Sequence, residues 1–293
     1  MRWIAMAALA ACSAAGAVAA DSPPAAPELT AEQIVEKNEA ARGGAEAWRK
    51  VQTMVWAGHM ESQGSPTPHV PFVLEQKRPN KTRFELNAMG ERSLRVFDGK
   101  RGWKARPNRD GSPDVQPFNP QELKFAQDAI VIDSPLIDHE AKRVAVELDG
   151  VDQVEGHKAY RLIVRTASGQ RHNVWVDAQT FLDIKYDRTS YNAAGVPATV
   201  SVYYRDYRNV EGLQIPGTIE TGVGSGKPPD RMVIEKVAVN PPLDDRMFTR
   251  PGLSKRRNMV TIEAEPIQNA GRMPIGPASP PAAPAPDPGS APK

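Results

Sequence analysis

The chain has 293 residues, of which 40% are hydrophobic and 25% are charged, which is the balance of an ordinary globular protein. Its 37 Lys and Arg residues nearly cancel its 35 Asp and Glu residues, so the formal net charge is +2. This composition argues against a membrane bundle and lacks the strong basic excess that nucleic-acid binders use. We therefore expect a folded domain with no nucleic-acid partner.

The first 20 residues predict a secretory signal peptide. An apolar stretch ends in small residues, and a short Pro/Ala-rich linker at 21–28 follows it. Cleavage after residue 19 or 20 would export the chain to the periplasm without Cys12, its one cysteine. The run that ends at Cys12 also fits a bacterial lipoprotein signal, and acylation there would make an outer-membrane lipoprotein. In either case we expect the mature chain not to be transmembrane.

The other end of the chain has the composition of a disordered tail. Residues 274–293 include eight prolines, separated mostly by small residues. Such a segment cannot bury enough apolar surface to form a packed core. The sequence therefore places the folded domain at 29–250 and predicts a Pro/Ala-rich disordered tail at 251–293.

A helix is predicted at the start of the folded domain. Thr30 and Gln33 have the spacing of a capping box, and Ile34 begins an apolar stripe that runs to two glycines at 43–44. A shorter helical turn follows, in which Trp48 is the apolar residue. Both helices precede the first predicted strand.

From residue 51 onward, apolar residues recur at every second position, which is typical of half-buried strands. About eleven or twelve such runs, separated by turn-forming pairs, predict consecutive antiparallel strands. One or two helices interrupt them between Asn119 and Glu140, where Pro120 suits the first helical position. No βαβ alternation is present. The expected fold class is α+β, mainly β: one large curved antiparallel sheet that forms an unclosed barrel covered by a few helices.

A sheet of that width is expected to curl, because strand twist accumulates across it. Curling makes one face concave. If the helices pack fully against that face, its apolar residues form an ordinary core; if they leave a gap, the residues line a cavity for an apolar ligand. The residues expected to line this cavity are Trp56, Phe72, Leu74, Phe84, Leu86, Leu94, Val96, Phe125 and Ile130.

No sequence motif indicates an enzyme. HExxH, G-x-S-x-G and metal-spaced cysteines are absent. The glycine-rich run at 222–227 resembles a phosphate-binding loop, but two prolines follow where such a loop needs a helix, so a hairpin between strands is expected. We therefore expect no catalytic residue and no cofactor.

Two groups of polar residues are candidates for a metal or catalytic site. Asp138, His139 and Glu140 are adjacent in sequence, and adjacent side chains of a helix do not converge on one point. His59 and His69 lie on predicted neighbouring strands, where a metal site is the alternative to ordinary surface histidines. The simpler interpretation is a solvated surface in both places, so no metal is expected.

Two stretches of the domain carry a resemblance to a known family. Residues 34–54 hold the first helix, the glycine pair and Trp48 ahead of the first strand, and residues 203–248 contain the runs YYRDYRNVEGLQIP and IEKVAVN. In these features the chain resembles the LolA-like superfamily of bacterial outer-membrane lipoprotein-sorting proteins. The resemblance covers about residues 30–250.

The resemblance implies an unclosed antiparallel barrel whose helices form a lid over an apolar cavity that receives acyl chains in the periplasm. The expected function is therefore non-enzymatic binding of lipid acyl chains or lipoproteins, with an envelope protein as a further partner. An envelope regulatory or interaction module of the same fold is the alternative. The resemblance assigns no role to an individual residue.

Overall fold

The structure, a computed structural model, describes residues 29–62, 67–108, 110–129, 132–191, 196–223 and 229–252. The predicted signal peptide, the linker and nearly all of the predicted tail lie outside these residues, as do Cys12 and Ile130. Within the described residues, no helix is both long enough and apolar enough to cross a membrane.

Three α-helices form where the sequence predicts them. They are α1 (Ala31–Ala41), α2 (Ala45–Lys50) and α3 (Pro120–Asp128). Thr30 caps α1 and Asn119 caps α3, each in a complete capping box that satisfies backbone N–H groups which the first helical turn leaves free. These local signals are short in range, which is why they can be recognised without knowledge of the tertiary fold.

Fifteen strands and one 3₁₀ turn make up the rest of the regular structure in the described ranges. The strands are β1 (Thr53–Glu61), β2 (Val70–Lys77), β3 (Lys81–Ala88), β4 (Glu91–Phe97), β5 (Gly102–Pro107), β6 (Pro113–Pro117), β7 (Ala145–Val154), β8 (His157–Arg165), β9 (Arg171–Asp177), β10 (Asp183–Tyr191), β11 (Pro197–Arg205), β12 (Arg208–Val210), β13 (Leu213–Ile215), β14 (Thr218–Val223) and β15 (Asp230–Val239). The 3₁₀ turn, η1, spans Asp245–Phe248.

Thirteen of these strands form one antiparallel sheet, in the order β6-β5-β4-β3-β2-β1-β15-β14-β11-β10-β9-β8-β7. The sheet does not close into a barrel, because β6 and β7 remain its two edges. The predicted fold class is therefore confirmed. The expected strand count was lower because β6 and β12 were missed and because one of the predicted runs, at 213–222, is two strands, separated by Pro216 and Gly217.

The last strand joins the two halves of the sheet. β15 pairs with β1 on one side and with β14 on the other. We call β1–β6 the N-terminal limb and β7–β11 the C-terminal limb. Strands far apart in sequence thus become neighbours through β15, and both limbs present one common face to the helices.

The helices cover one face of the sheet, which we call the inner face. On the N-terminal limb, Phe72 is buried there beside Trp48 of α2. On the C-terminal limb, Ile34 and Val35 of α1 pack against buried residues of β8 and β9, such as Leu162 and Val174. The segment that follows α3 contributes to both groups: Ile132 and Ile137 to the first, Leu136 and Val144 to the second. The inner face therefore carries two apolar clusters, one on each limb.

The opposite, outer face has its own small core. Val55 and Val96 are buried there with Phe248 of η1, which is fully buried. A buried ion-pair group lies on the same face, in which Arg83 contacts the carboxylates of Glu75 and Glu85. The turn that follows β15 thus seals the outer side of the N-terminal limb.

Truncation of Phe248 should destabilise the fold. Phe248→Ala removes a fully buried ring between η1 and the sheet, which should lower the free energy of unfolding by about 3–5 kcal/mol. Urea denaturation would measure the change. Val223→Ala, at a residue that is 58% exposed, is the control and should change stability by less than about 0.5 kcal/mol. Equal losses in both variants would contradict the packing of η1 described above.

Candidate functional site

A continuous apolar surface crosses the inner face of the N-terminal limb. Trp56 pairs with Leu74, and Leu74 pairs with Phe84, so strand alternation directs all three side chains to one face. Phe72 and Leu86 form the next such pair, and the rings of Phe72 and Phe84 lie 5.9 Å apart. All five residues belong to the first inner cluster.

A cavity of about 160 Å³ lies between the two inner clusters. The indoles of Trp48 and Trp56 line it from the side of the first cluster, and Val174 lines it from the second. Tyr186 of β10 and Tyr204 of β11 complete the wall on the side of the C-terminal limb. The two clusters therefore do not merge into one core but leave a gap at their boundary.

A buried ion pair closes one end of the cavity. The Arg42 guanidinium, just after α1, lies 2.5 Å from an Asp183 carboxylate oxygen at the start of β10. Asn38 donates to the other carboxylate oxygen of Asp183 at 3.1 Å, and Arg42 also donates to the backbone carbonyl of Gln214. These bonds join α1, β10 and the small β12–β13 ribbon. Both oxygens of the Asp183 carboxylate thus have a partner.

Tyrosine hydroxyls near this ion pair are neutral. Burial raises the pKa of Tyr186 to about 12, and burial followed by the charge of Asp183 raises the pKa of Tyr204 even further. Burial also raises the pKa of Tyr207, whose hydroxyl donates to the backbone carbonyl of Asp183. The cavity is thus bordered by hydrogen-bonding groups, but none of these tyrosines is a nucleophile at neutral pH.

Among the described residues, two buried polar atoms at the cavity have no hydrogen-bond partner. They are Nε1 of Trp56, a donor, and Oε1 of Gln76, an acceptor. Gln76 is only 8% exposed. A buried polar atom without a partner is costly, at about 1–3 kcal/mol, so these positions favour water or the polar end of a ligand.

Helix α3 spans the inner face between the two limbs. At its start, Glu122 forms ion pairs with Arg95 of β4 at 3.1 Å and with Lys104 of β5 at 3.2 Å. Further along, the ring of Phe125 lies 4.4 Å from the guanidinium of Arg188 on β10. No residue of α3 is buried. The helix is therefore attached to both limbs by polar contacts and contributes nothing to the apolar core.

The structure brings five of the nine predicted cavity residues together: Trp56, Phe72, Leu74, Phe84 and Leu86 share the inner face. Leu94 and Val96 lie on the outer face with Phe248, which corrects the expectation that they face the same side. The reason is register: Leu94 pairs with Glu85 and Val96 with Arg83, the residues that alternate with Phe84.

The remaining two predicted residues belong to the helical break. Phe125 is 51% exposed and contacts Arg188 rather than the cavity. Ile130 lies outside the described residues. The Asp138, His139 and Glu140 side chains also do not converge: Asp138 pairs with Arg49, and a ring nitrogen of His139 contacts the backbone carbonyl of Val144.

Sequence reasoning missed the polar side of the cavity. Arg42 and Asp183 are 141 residues apart, and nothing in either local pattern indicates that they meet. Tyr204 and Tyr207 stood in the run that carries the family resemblance, but no role followed from it. The one available indication was the position of Arg42 directly after the apolar stripe of α1. A charged side chain that is buried there needs a partner of opposite charge.

Similar proteins are found among solved structures. No protein-family model matches the sequence, and no curated protein matches it. Solved structures with a similar fold include a LolA superfamily protein from Nitrosomonas europaea, with 14% identity, a TM-score of 0.47 and coverage of 76% of this chain and 98% of that one. The family that the sequence resembles is therefore also found among its structural neighbours.

Two further solved structures have similar sequence identities, coverages and TM-scores. A DUF1329 family protein from Desulfovibrio piger is 13% identical, with a TM-score of 0.48 and coverage of 75% of this chain and 99% of that one. A domain from Vibrio parahaemolyticus named as an outer-membrane lipoprotein-sorting protein is 10% identical, with a TM-score of 0.47 and coverage of 75% and 95%.

Acid should destabilise the protein through His172, which lies on β9 beside Tyr186, with 5.2 Å between the ring centres. Burial lowers the pKa of His172 and the charge of Arg188 lowers it further, while Asp128 of α3 acts in the opposite direction. The unfolded chain then takes up a proton near pH 6.5 before the folded chain does, so stability is lost as the pH falls from about 6.5 towards the folded-state pKa.

The thermal midpoint should therefore fall less steeply between pH 7.5 and 5.5 in His172→Gln than in the unmodified protein. Calorimetric scans at several pH values would measure both slopes. His157→Gln, at an exposed position, is the matched control and should retain the original slope. Identical slopes in all three proteins would show that His172 is not linked to acid unfolding.

Proposed function

We propose that this chain is a non-enzymatic, exported binder of lipid acyl chains, and that the acyl chain lies on the inner face beneath α3. One observation carries the proposal: α3 reaches from Arg95 and Lys104 on the N-terminal limb to Arg188 on the C-terminal limb without burying a residue of its own. A helix held in this way covers the surface and can leave it without opening the core. The signal-peptide pattern and the resemblance to lipoprotein-sorting proteins support the same function.

The cavity is smaller than an acyl chain needs. At about 160 Å³, the space is well below the roughly 300–1,000 Å³ of ordinary ligand pockets. It is close to the volume of about 150 Å³ that accommodates a single benzene. An acyl chain therefore needs more room than this space offers, and the proposal is that α3 moves away from the inner face together with the apolar side chains next to the gap.

The displacement of α3 is energetically modest. Its ion pairs to Arg95 and Lys104 are partly exposed and contribute about 0.2–1 kcal/mol each, and the contact between Phe125 and Arg188 about 0.5–1 kcal/mol. Burial of each methylene contributes about 0.8 kcal/mol. Three or four methylenes of an acyl chain therefore offset the loss of these contacts.

Two polar side chains of the cavity, Trp56 and Gln76, suit the polar end of such a ligand. The unpaired N–H of Trp56 and the unpaired carbonyl of Gln76 together offer one donor and one acceptor at the cavity. A protonated carboxylic acid can pair with both groups and an ester with the Trp56 N–H alone, whereas a plain hydrocarbon can pair with neither. This arrangement favours an acylated molecule over an alkane-like one, without any catalytic step.

Binding on the inner face can be tested by tryptophan quenching. A dibrominated stearic acid should quench the fluorescence of the protein, and plain stearic acid should not. Trp56→Phe should lose a large part of the quenching because Trp56 lines the cavity. Trp103→Phe is the matched control, since Trp103 pairs with Val96 and shares its outer face. No quenching, or equal quenching in both variants, would contradict the proposed site.

The covering role of α3 predicts a kinetic effect. Glu122→Gln retains the capping box, in which Gln is as suitable as Glu, but loses the charge that pairs with Arg95 and Lys104. The rate of brominated-acid uptake in stopped-flow quenching should rise several-fold. Glu46→Gln, which loses an exposed pair to Lys50 on α2, should leave the rate unchanged. A Glu122→Gln rate equal to that of the unmodified protein would mean that α3 does not limit access.

A further inference from the structure

Three potential metal ligands lie close together where β1 ends and β2 begins. His59 and Glu61 alternate on β1, so both side chains point to the outer face. Met60 pairs with Val70, and continuation of that register sets Glu61 opposite His69. Within the described part of the chain, these three residues are the one group of His, Cys, Asp or Glu side chains with ligand atoms close enough to hold a metal ion, all within 4.8 Å of one another.

The distances between the ligand atoms fit a tetrahedral ion. Nε2 of His59 lies 3.3 Å from Oε1 of Glu61, and Nδ1 of His69 lies 3.6 Å from the same oxygen. Ligands at about 2.0–2.2 Å from a tetrahedral zinc ion are separated by about 3.3–3.6 Å. The two measured edges therefore have the length that zinc requires. His69 is 62% exposed, so its ring is free to rotate and shorten the third edge.

A second carboxylate orients His59 in the way that metal-binding histidines are oriented. Nδ1 of His59 lies 2.8 Å from Oε1 of Glu235. Glu235 lies beside His59 because β15 has an irregularity at this point. Ala57 pairs with Lys236 and Gly58 pairs with Ile234, so Glu235 is an extra residue of β15 without a partner residue on β1. A histidine that donates its ring N–H to a carboxylate presents the lone pair of the other nitrogen to a metal.

The hydrogen bond between His59 and Glu235 also sets two hydrogen-bond acceptors against each other, and a cation between them would remove the repulsion. When Nδ1 donates to Glu235, a neutral His59 directs the lone pair of Nε2 at the anionic oxygen of Glu61, only 3.3 Å away. Two acceptors at that distance repel each other unless a proton or a metal ion lies between them. The other oxygen of Glu61 is held by Arg231 at 2.9 Å, so the carboxylate is not free to turn away.

We propose that His59, Glu61 and His69 bind one divalent transition-metal ion, with Glu235 and Arg231 as positioning residues. Two imidazoles and one carboxylate suit zinc and its neighbours in the first transition row better than magnesium or calcium, which prefer oxygen ligands. The site lies on the outer face, away from the cavity, and would tie β1 to the segment that enters β2. It does not depend on the proposed lipid binding.

The test is a zinc titration of the full chain, prepared without a polyhistidine tag, by calorimetry at pH 7.5, where histidines are mostly unprotonated. One equivalent of zinc should bind. His59→Gln and His69→Gln should each weaken binding at least 10-fold, and Glu235→Gln should weaken it about 10–100-fold, as loss of a positioning carboxylate does. His157→Gln is the matched control, because His157 pairs with Asp177 outside the proposed site, and it should bind as the unmodified protein does.

Two spectroscopic measurements on the unmodified protein answer the question without a variant. Cobalt should produce the visible absorption of a tetrahedral complex, and zinc should shift the ring ¹⁵N signals of two of the five histidines. Thermal scans in the presence of a chelator should show that the variants remain folded. Absence of zinc binding, or equal affinity in His59→Gln, would overturn the proposal.

Discussion

The alternation of side chains along thirteen antiparallel strands is the constraint on which the rest of this structure depends. Each strand residue must face either the helices or the outer side, and hydrogen bonding between neighbours extends that choice across the sheet. The pairing of Trp56, Leu74 and Phe84 shows the result on the inner face, and that of Val96 with Arg83 shows it on the outer face. One sheet thus supplies two chemically different surfaces.

The inner surface is only partly used for stability. Helices α1 and α2 bury Ile34, Val35 and Trp48 completely or nearly so, and each is anchored to its own limb. The buried pair of Arg42 and Asp183 then fixes the end of α1 to β10. Removal of either partner would leave the other charge buried and unpaired, so the attachment of α1 to β10 is rigid. In contrast, α3 is held by partly exposed polar contacts, which makes it the element that can move at low cost.

The outer surface has a different character. It carries paired charged residues, as in the contacts of Arg83 with Glu75 and of Arg231 with Glu61. Where η1 packs, the surface becomes a small apolar core around Phe248. Where the β1–β2 hairpin ends, it becomes a compact histidine and carboxylate cluster. The two faces can therefore serve separate purposes, since the sheet lies between them.

The sequence by itself determined the features that depend on neighbouring residues. The capping boxes at Thr30 and Asn119, the period-two strands and the absence of βαβ alternation were sufficient for the helices and the mainly β fold class. Five of the nine predicted cavity residues share the inner face for the same reason: their strands alternate regularly and pair directly with one another. Strand β6 was missed because its five residues carry two prolines and one apolar side chain.

Only the tertiary structure decided which face each strand presents and which distant residues meet. Alternation in β4 leaves two choices of side, and the register with β3 placed Leu94 and Val96 outside. The meeting of Arg42 with Asp183, and of His59 with Glu235, required β10 and β15 to take their places in the sheet. Such contacts depend on strand order and on a bulge, which are set by the burial of the whole chain rather than by any local run of residues.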